Sequence, residues 1–129
     1  MSMYIDRAAQ PAVALALPDP IQTETVAERL QSRGWRVLRA GTPVEIRRLA
    51  GRHRLDAVVL PVDSPDESGW IACAKLRCAR PRVKVFLMGE PTPAAVRFAQ
   101  FVGAAGLIPL QVGAQLVETI AESADTVTV

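Results

Sequence analysis

"DAVVLPVDSP", residues 56–65, decides how the chain folds. Residues 57–60 are apolar throughout rather than alternating. A strand of that kind is covered on both faces, as in a parallel sheet. Pro61 closes the run, and a loop carrying Asp63 and Asp66 follows. Proline has no N–H to give a sheet, so this strand ends where the loop begins.

Four more apolar runs flank it: "AVALAL" (12–17), "WRVLRA" (35–40), "VKVFLM" (83–88) and "AGLIPL" (105–110). The first is also apolar throughout. The second and fourth of the five runs in chain order carry Arg or Lys and read as partly exposed. Helical segments lie between. "PIQTETVAERLQSRG" sets Val26 and Leu30 one turn apart and stops at Gly34. "TPVEIRRLAG" opens on Thr-Pro, places Ile46 and Leu49 on one face and stops at Gly51. "SGWIACAKLRCAR" lines up Ile71, Ala74 and Cys78 before Pro81. "TPAAVRFAQFVG" lines up Ala95, Phe98 and Val102, with Phe101 offset and partly exposed, and stops at Gly103. "AQLVETIAESA" turns Leu116, Val117 and Ile120 inward.

The order β-α five times over, with short connections, predicts one three-layer α/β domain: an open parallel sheet with helices on both faces. Residues 12–124 form the domain. Residues 1–11 read as a loose leader, and 125–129 as a tail that is disordered or adds a short strand.

At 129 residues and half hydrophobic, the chain fits a single buried core. A net charge of +2 makes nucleic acid an unlikely partner and demands no acidic membrane. No run approaches the roughly 20 apolar residues of a membrane span, and the first residues lack the layout of a secretory signal. Cys73 and Cys78 share a helix about 7.5 Å apart along its axis, too far for a disulfide. They read as small packed hydrophobes in a reducing cytoplasm. One His and two Cys offer no zinc spacing.

In such sheets ligands bind beyond the carboxyl ends of the strands. The first of those ends, "LPDP", has no glycine to wrap around a phosphate. No G-x-S-x-G elbow is present. His53 lies away from this rim, at the end of the second helix.

The length, the five-fold β/α order and the loop spacing resemble the receiver domain of two-component response regulators (CheY-like). Pro61 falls where that family has its phosphorylated Asp at the end of strand 3. Pro65 lies at plus four and Gly69 at plus eight, as in the family. "ALPDPIQTETVAERLQSRGWRV" aligns without a gap on the family's acidic loop and first helix, and "FVGAAGLIPLQ" resembles the Gly-Ala segment leading into strand 5. The resemblance runs from about Ala12 to about Ala124 and implies a flavodoxin-like fold with strand order 2-1-3-4-5.

The departures concentrate at the site. The Mg²⁺-binding acidic pair falls on Leu17 and Pro18, and of the acids only Asp19 remains. The phosphoacceptor is Pro61. The switch Ser/Thr falls on Met88 (or on Gly89, one residue on). The family's Lys falls on Leu110, the Pro after it on Gln111, and the aromatic switch on Leu107. Phosphoryl transfer needs an oxygen nucleophile and a divalent ion, and Mg²⁺ needs oxygen ligands. The resemblance with these losses implies a pseudo-receiver: no enzyme, no metal, no cofactor. Without a proline at 111, the Leu110–Gln111 bond is expected to be trans, with a remodelled loop at 110–113.

Asp63 and Asp66, with Asp19 and Glu90 nearby, could form a displaced acidic site, but they read better as turn residues. "RRLAGRHR" (47–54) could meet phosphates; it reads better as the solvated end of a helix. The expected action is protein–protein binding in bacterial signal transduction. The family implies the face of helix 4, strand 5 and helix 5, here Arg97, Gln100, Phe101, Gln115, Glu118 and Glu122. A homodimer there would let Arg97 meet Glu118 or Glu122 of its mate. The alternative is a small-molecule sensor with an apolar crevice lined by Leu17, Pro18, Pro61, Met88 and Leu110. An enzyme of another class ranks last, because no nucleophile–base pair falls at the strand ends.

Overall fold

Apolar residues on both faces of each inner strand need two helical layers to cover them. The computed structural model, which describes residues 10–110 and 113–127 with side chains of the last helix through Ser123, shows both layers. The elements are β1 (Ala12–Leu15), α1 (Pro20–Gln31), β2 (Arg36–Arg39), α2 (Pro43–Arg52) and β3 (Ala57–Pro61). They continue with α3 (Gly69–Ala79), β4 (Lys84–Met88), α4 (Pro93–Phe101), β5 (Gly106–Ile108) and α5 (Gly113–Val127). All pairings are parallel, in the order β2-β1-β3-β4-β5, as the resemblance implied.

The sheet divides the core in two. Ala12, Ala14, Val58, Leu60, Val85 and Leu87 pack with Ile46, Ala72, Cys73 and Leu76 of α2 and α3. Their neighbours one residue along, Val13, Leu15, Val59, Phe86 and Met88, pack with Val26, Leu30, Leu116, Val117 and Ile120 of α1 and α5. This is the two-residue period of a strand, with both faces buried. The helices start where expected. Thr42, Ser68 and Thr92 accept the N–H of Glu45, Ile71 and Ala95, which satisfies donors the helix leaves open. Gly34 and Gly103 end α1 and α4 with φ of 89° and 80°, a region that favours glycine.

Several expectations are corrected. On α3 the buried residues are Gly69, Ala72, Cys73 and Leu76, whereas Ile71 is 51% exposed and Ala74 and Cys78 face solvent. The inward face opens on Gly69, where a β-carbon would lie 2.2 Å from the carbonyl oxygen of Pro61, and continues through the small residues Ala72 and Cys73. The two cysteines are free, and only Cys73 packs as a hydrophobe. On α4, Ala99 is buried and Phe98 is 44% exposed, because its ring stands against Trp70 rather than the sheet. β4 is buried apart from Lys84, since Val85 and Leu87 pack in the layer of α2 and α3 and Phe86 and Met88 in the layer of α1 and α5. The last helix runs through Val127, so residues 125–127 are neither loose nor a strand. The leader up to residue 9, and residues 128–129, lie outside the described residues. No helix among the described residues is long and apolar enough to cross a membrane.

Candidate functional site

The rim at the carboxyl ends of β1, β3 and β4 is shaped by Pro61. Val59 accepts the N–H of Ala16, the residue after β1, at 3.0 Å, and Val62 donates to Met88 of β4 at 3.0 Å. Odd-numbered residues of β3 therefore direct their backbone groups at β1, and even-numbered ones at β4. The absent N–H of Pro61 faces β1, where the register stops at Leu15 and Val59. On the other side Pro61 remains in register with Met88. The expectation that it lies past the last ladder bond holds toward β1 and fails toward β4. A proline fits a central strand here because the one bond it removes is the next rung of a ladder already ending.

The residues expected at the site separate. Leu17, 8% exposed, and Met88, wholly buried, belong to the core under α1 and α5. Strand alternation turns them sideways into that layer. Pro18 is exposed and Pro61 half-buried. Asp19 is the N-cap of α1: its carboxylate accepts the N–H of Ile21 at 2.9 Å. That role was legible in "DP", a cap residue followed by proline at the first helical position. Val62 sits over Gly89, whose position would put a β-carbon 2.6 Å from Val62 Cγ2. A groove of about 650 Å³ opens to one side, lined by Pro18, Asp19, Gln22, Val26, Leu110 and Gly113 among others. Gln22 donates across it to the carbonyl of Leu110 at 2.6 Å. Leu17, Pro61 and Met88 take no part in it, so the five-residue apolar crevice is not assembled. The Leu110–Gln111 bond and the loop at 111–112 lie outside the described residues.

The positions that would hold Mg²⁺ do not fit it. Leu17, Pro18 and Pro61 carry no side-chain oxygen, and the ion takes oxygen ligands. Two acids of the next loop, Asp66 and Glu67, are engaged within the chain, while Asp63 is exposed. Asp66 accepts the hydroxyl of Ser64 and the N–H of Glu67, at 2.8 and 2.7 Å. Glu67 is held by Arg47 and Lys75, both at 2.8 Å. Hydrogen bonds from Arg47, then from Lys75, hold its carboxyl below the usual range. No group of three His, Cys, Asp or Glu side chains that could hold a metal occurs among the described residues.

The residues expected at the interaction face, Arg97, Gln100, Phe101, Gln115, Glu118 and Glu122, are all exposed. Two details change the picture. Glu118 is bound by Arg33 of the α1–β2 turn, so it is engaged within the chain rather than waiting for Arg97 of a mate. Phe101, 83% exposed, stacks on Phe98 at 6.1 Å between ring centres, and Phe98 meets Trp70 edge-on at 4.9 Å. This aromatic row runs from α4 toward α3, away from α5. Sequence spacing missed it because Trp70 and Phe98 meet only across two helices.

No family model matches the chain. It is 38% identical over 80 residues to a probable transcriptional regulatory protein, TcrX, of Mycobacterium tuberculosis; the match covers 61% of this chain and 34% of that protein. The matched stretch thus spans about a third of the relative. Three solved structures are similar throughout. A CheY-like response regulator receiver domain protein from Methanospirillum hungatei superposes with a TM-score of 0.81 at 21% identity, covering 90% of this chain and 94% of that one. The beryllofluoride-activated DrrB receiver domain gives 0.79 at 23%, covering 90% and 98%. The receiver domain of the putative response regulator NarL from Mycobacterium tuberculosis gives 0.78 at 23%, covering 90% and 97%. The chain has the CheY-like receiver fold.

Proposed function

We propose that this chain is a pseudo-receiver: a signalling protein that acts by binding another protein and does not depend on phosphorylation. One observation carries the reading. At the end of β3, in register with Met88, stands Pro61, and Leu17, Pro18 and Pro61, at the family's acidic positions, carry no side-chain oxygen to serve as the nucleophile or metal ligands that phosphoryl transfer needs. The receiver fold supports a place in signal transduction, and the similarity to a probable transcriptional regulatory protein points the same way. With the rim inert, the work falls to surfaces, as a binding protein and not an enzyme. The exposed aromatic row ending in Phe101 is the best anchor for a partner, since exposed aromatic side chains dominate many interfaces. A homodimer through α4, β5 and α5 is the rival arrangement. The cytoplasm is the compartment this reading implies.

The test is an amide NMR titration with Mg²⁺, then with beryllofluoride as an acyl-phosphate mimic. The expected result is no saturable shift at Asp19, at residues 61–69 or at 88–90. A concerted, saturable shift there would overturn the reading and make Asp63 or Asp19 the first residue to mutate.

A further inference from the structure

A large groove lies at the opposite end of the sheet, where the strands begin and α2, α3 and α5 end. Its volume is about 1440 Å³. Its walls carry Arg52, His53 and Arg54 from the end of α2, Arg80 and Arg82 from the α3–β4 turn, and Lys84 from β4. The sequence places these in two separate segments, and only the fold brings them to one cleft. Arg33 also reaches it but is neutralised by Glu118. Among the described residues one carboxylate, Asp56, lines the groove, and it accepts the N–H of Ala12 at 2.9 Å.

Basic residues at helix ends commonly do no more than offset the helix dipole. Two of these do that work. Arg80 donates to the carbonyls of Ala50 and Ala79, at 3.3 and 3.0 Å, and Lys84 to that of Ser123 at 3.0 Å. Arg52, Arg54 and Arg82 are not tied up in hydrogen bonds: each is exposed, and although Arg52 stands in the last turn of α2, none of the three has a carboxylate partner or a side-chain hydrogen bond among the described residues. Arg33 aside, five Arg and Lys side chains thus face one carboxylate among the described residues of a concave site, in a chain whose net charge is only +2. Clefts lined by one sign of charge focus the field and concentrate counter-ions. Guanidinium groups match phosphate geometry with paired donors.

We propose that this groove binds a ligand carrying two or more adjacent phosphates, with Arg52, Arg54 and Arg82 as its principal contacts. The site is independent of the strand-end rim and does not rest on the pseudo-receiver reading. Calorimetric titration of the full chain with inorganic tripolyphosphate at low salt tests it. Saturable one-to-one binding is expected, weakened as salt rises, and lost by at least tenfold in R52A/R54A/R82A. Asp56→Asn, which removes the opposing charge and keeps an acceptor for Ala12, should tighten it severalfold. Arg97→Ala, on a distant helix, should leave it unchanged. ATP titrated in parallel distinguishes the sources: equal affinity identifies a phosphate chain alone, tighter binding a nucleotide. Urea midpoints of all variants confirm that they fold. The proposal is overturned if tripolyphosphate produces no binding at millimolar concentration. It is equally overturned if the triple variant binds undiminished, or if a poly-glutamate peptide binds as tightly.

Discussion

Replacing Gly69 by alanine tests how the loop after β3 is held. An added β-carbon would lie 2.2 Å from the carbonyl oxygen of Pro61, and 2.9 Å from both its carbonyl carbon and Val62 Cα. The first distance is more than an ångström short of the ordinary contact range, which begins at 3.4 Å. All three atoms are backbone, so no side-chain rotation relieves the clash. The end of β3 or the start of α3 must move, and both are tied to each other by the N–H of Gly69 donating to Val62 at 3.0 Å. Overpacking of this kind costs about 1–3 kcal/mol, against a helix-propensity gain of at most about 1 kcal/mol. The net expectation for Gly69→Ala is a loss of about 1 kcal/mol, a fall of roughly 0.5–1 M in the urea midpoint at ordinary slopes. Gly51→Ala is the internal control. It lies in α2 with nothing within 4 Å of the added carbon, and should gain about 0.5–1 kcal/mol. Opposite signs for two identical substitutions are the prediction. A Gly69→Ala protein as stable as the parent would refute the steric account of this glycine.

Three further outcomes are expected. Burial pushes the Cys73 thiol up to about 11, whereas Cys78 is exposed; alkylation of the native chain at pH 8 should add one group at Cys78, with Cys73 reacting only after denaturation, as mass spectrometry of peptides would show. Glu67→Gln should cost about 1 kcal/mol at pH 7, because charge-assisted hydrogen bonds to Arg47 and Lys75 are lost. The Glu67 carboxyl is held below its usual value in the fold, so its contribution is complete above an unfolded pKa of about 4.3 and disappears as pH falls through the lower folded value; urea midpoints of parent and variant should converge in acid, and a constant gap down to about pH 2 would contradict this. Phe101→Ser should change stability by less than about 0.5 kcal/mol yet abolish capture of a protein partner. A variant that binds its partner normally would move the interface elsewhere.

The chain order, the double covering of the sheet and the helix starts were all legible in the sequence, because each is local. A run such as "AVVL" has to be covered on both faces, and "TP" followed by apolar spacing starts a helix wherever it occurs. That Leu17, Pro18 and Pro61 stand at the strand ends was legible too, and neither a proline nor a leucine has a side-chain oxygen to offer in any fold. Tertiary structure decided what depends on direction and meeting. Leu17 and Met88 look like rim residues in the sequence, but strand alternation buries them under α1 and α5. The face of α3 could not be read from Ile71, Ala74 and Cys78, because the helix turns the small residues Gly69, Ala72 and Cys73 inward, and Gly69 lies close against the backbone of Pro61. The basic groove and the aromatic row join side chains that are far apart in the chain. Their charges and rings are in the sequence, but only packing brings them within reach of one ligand or one partner.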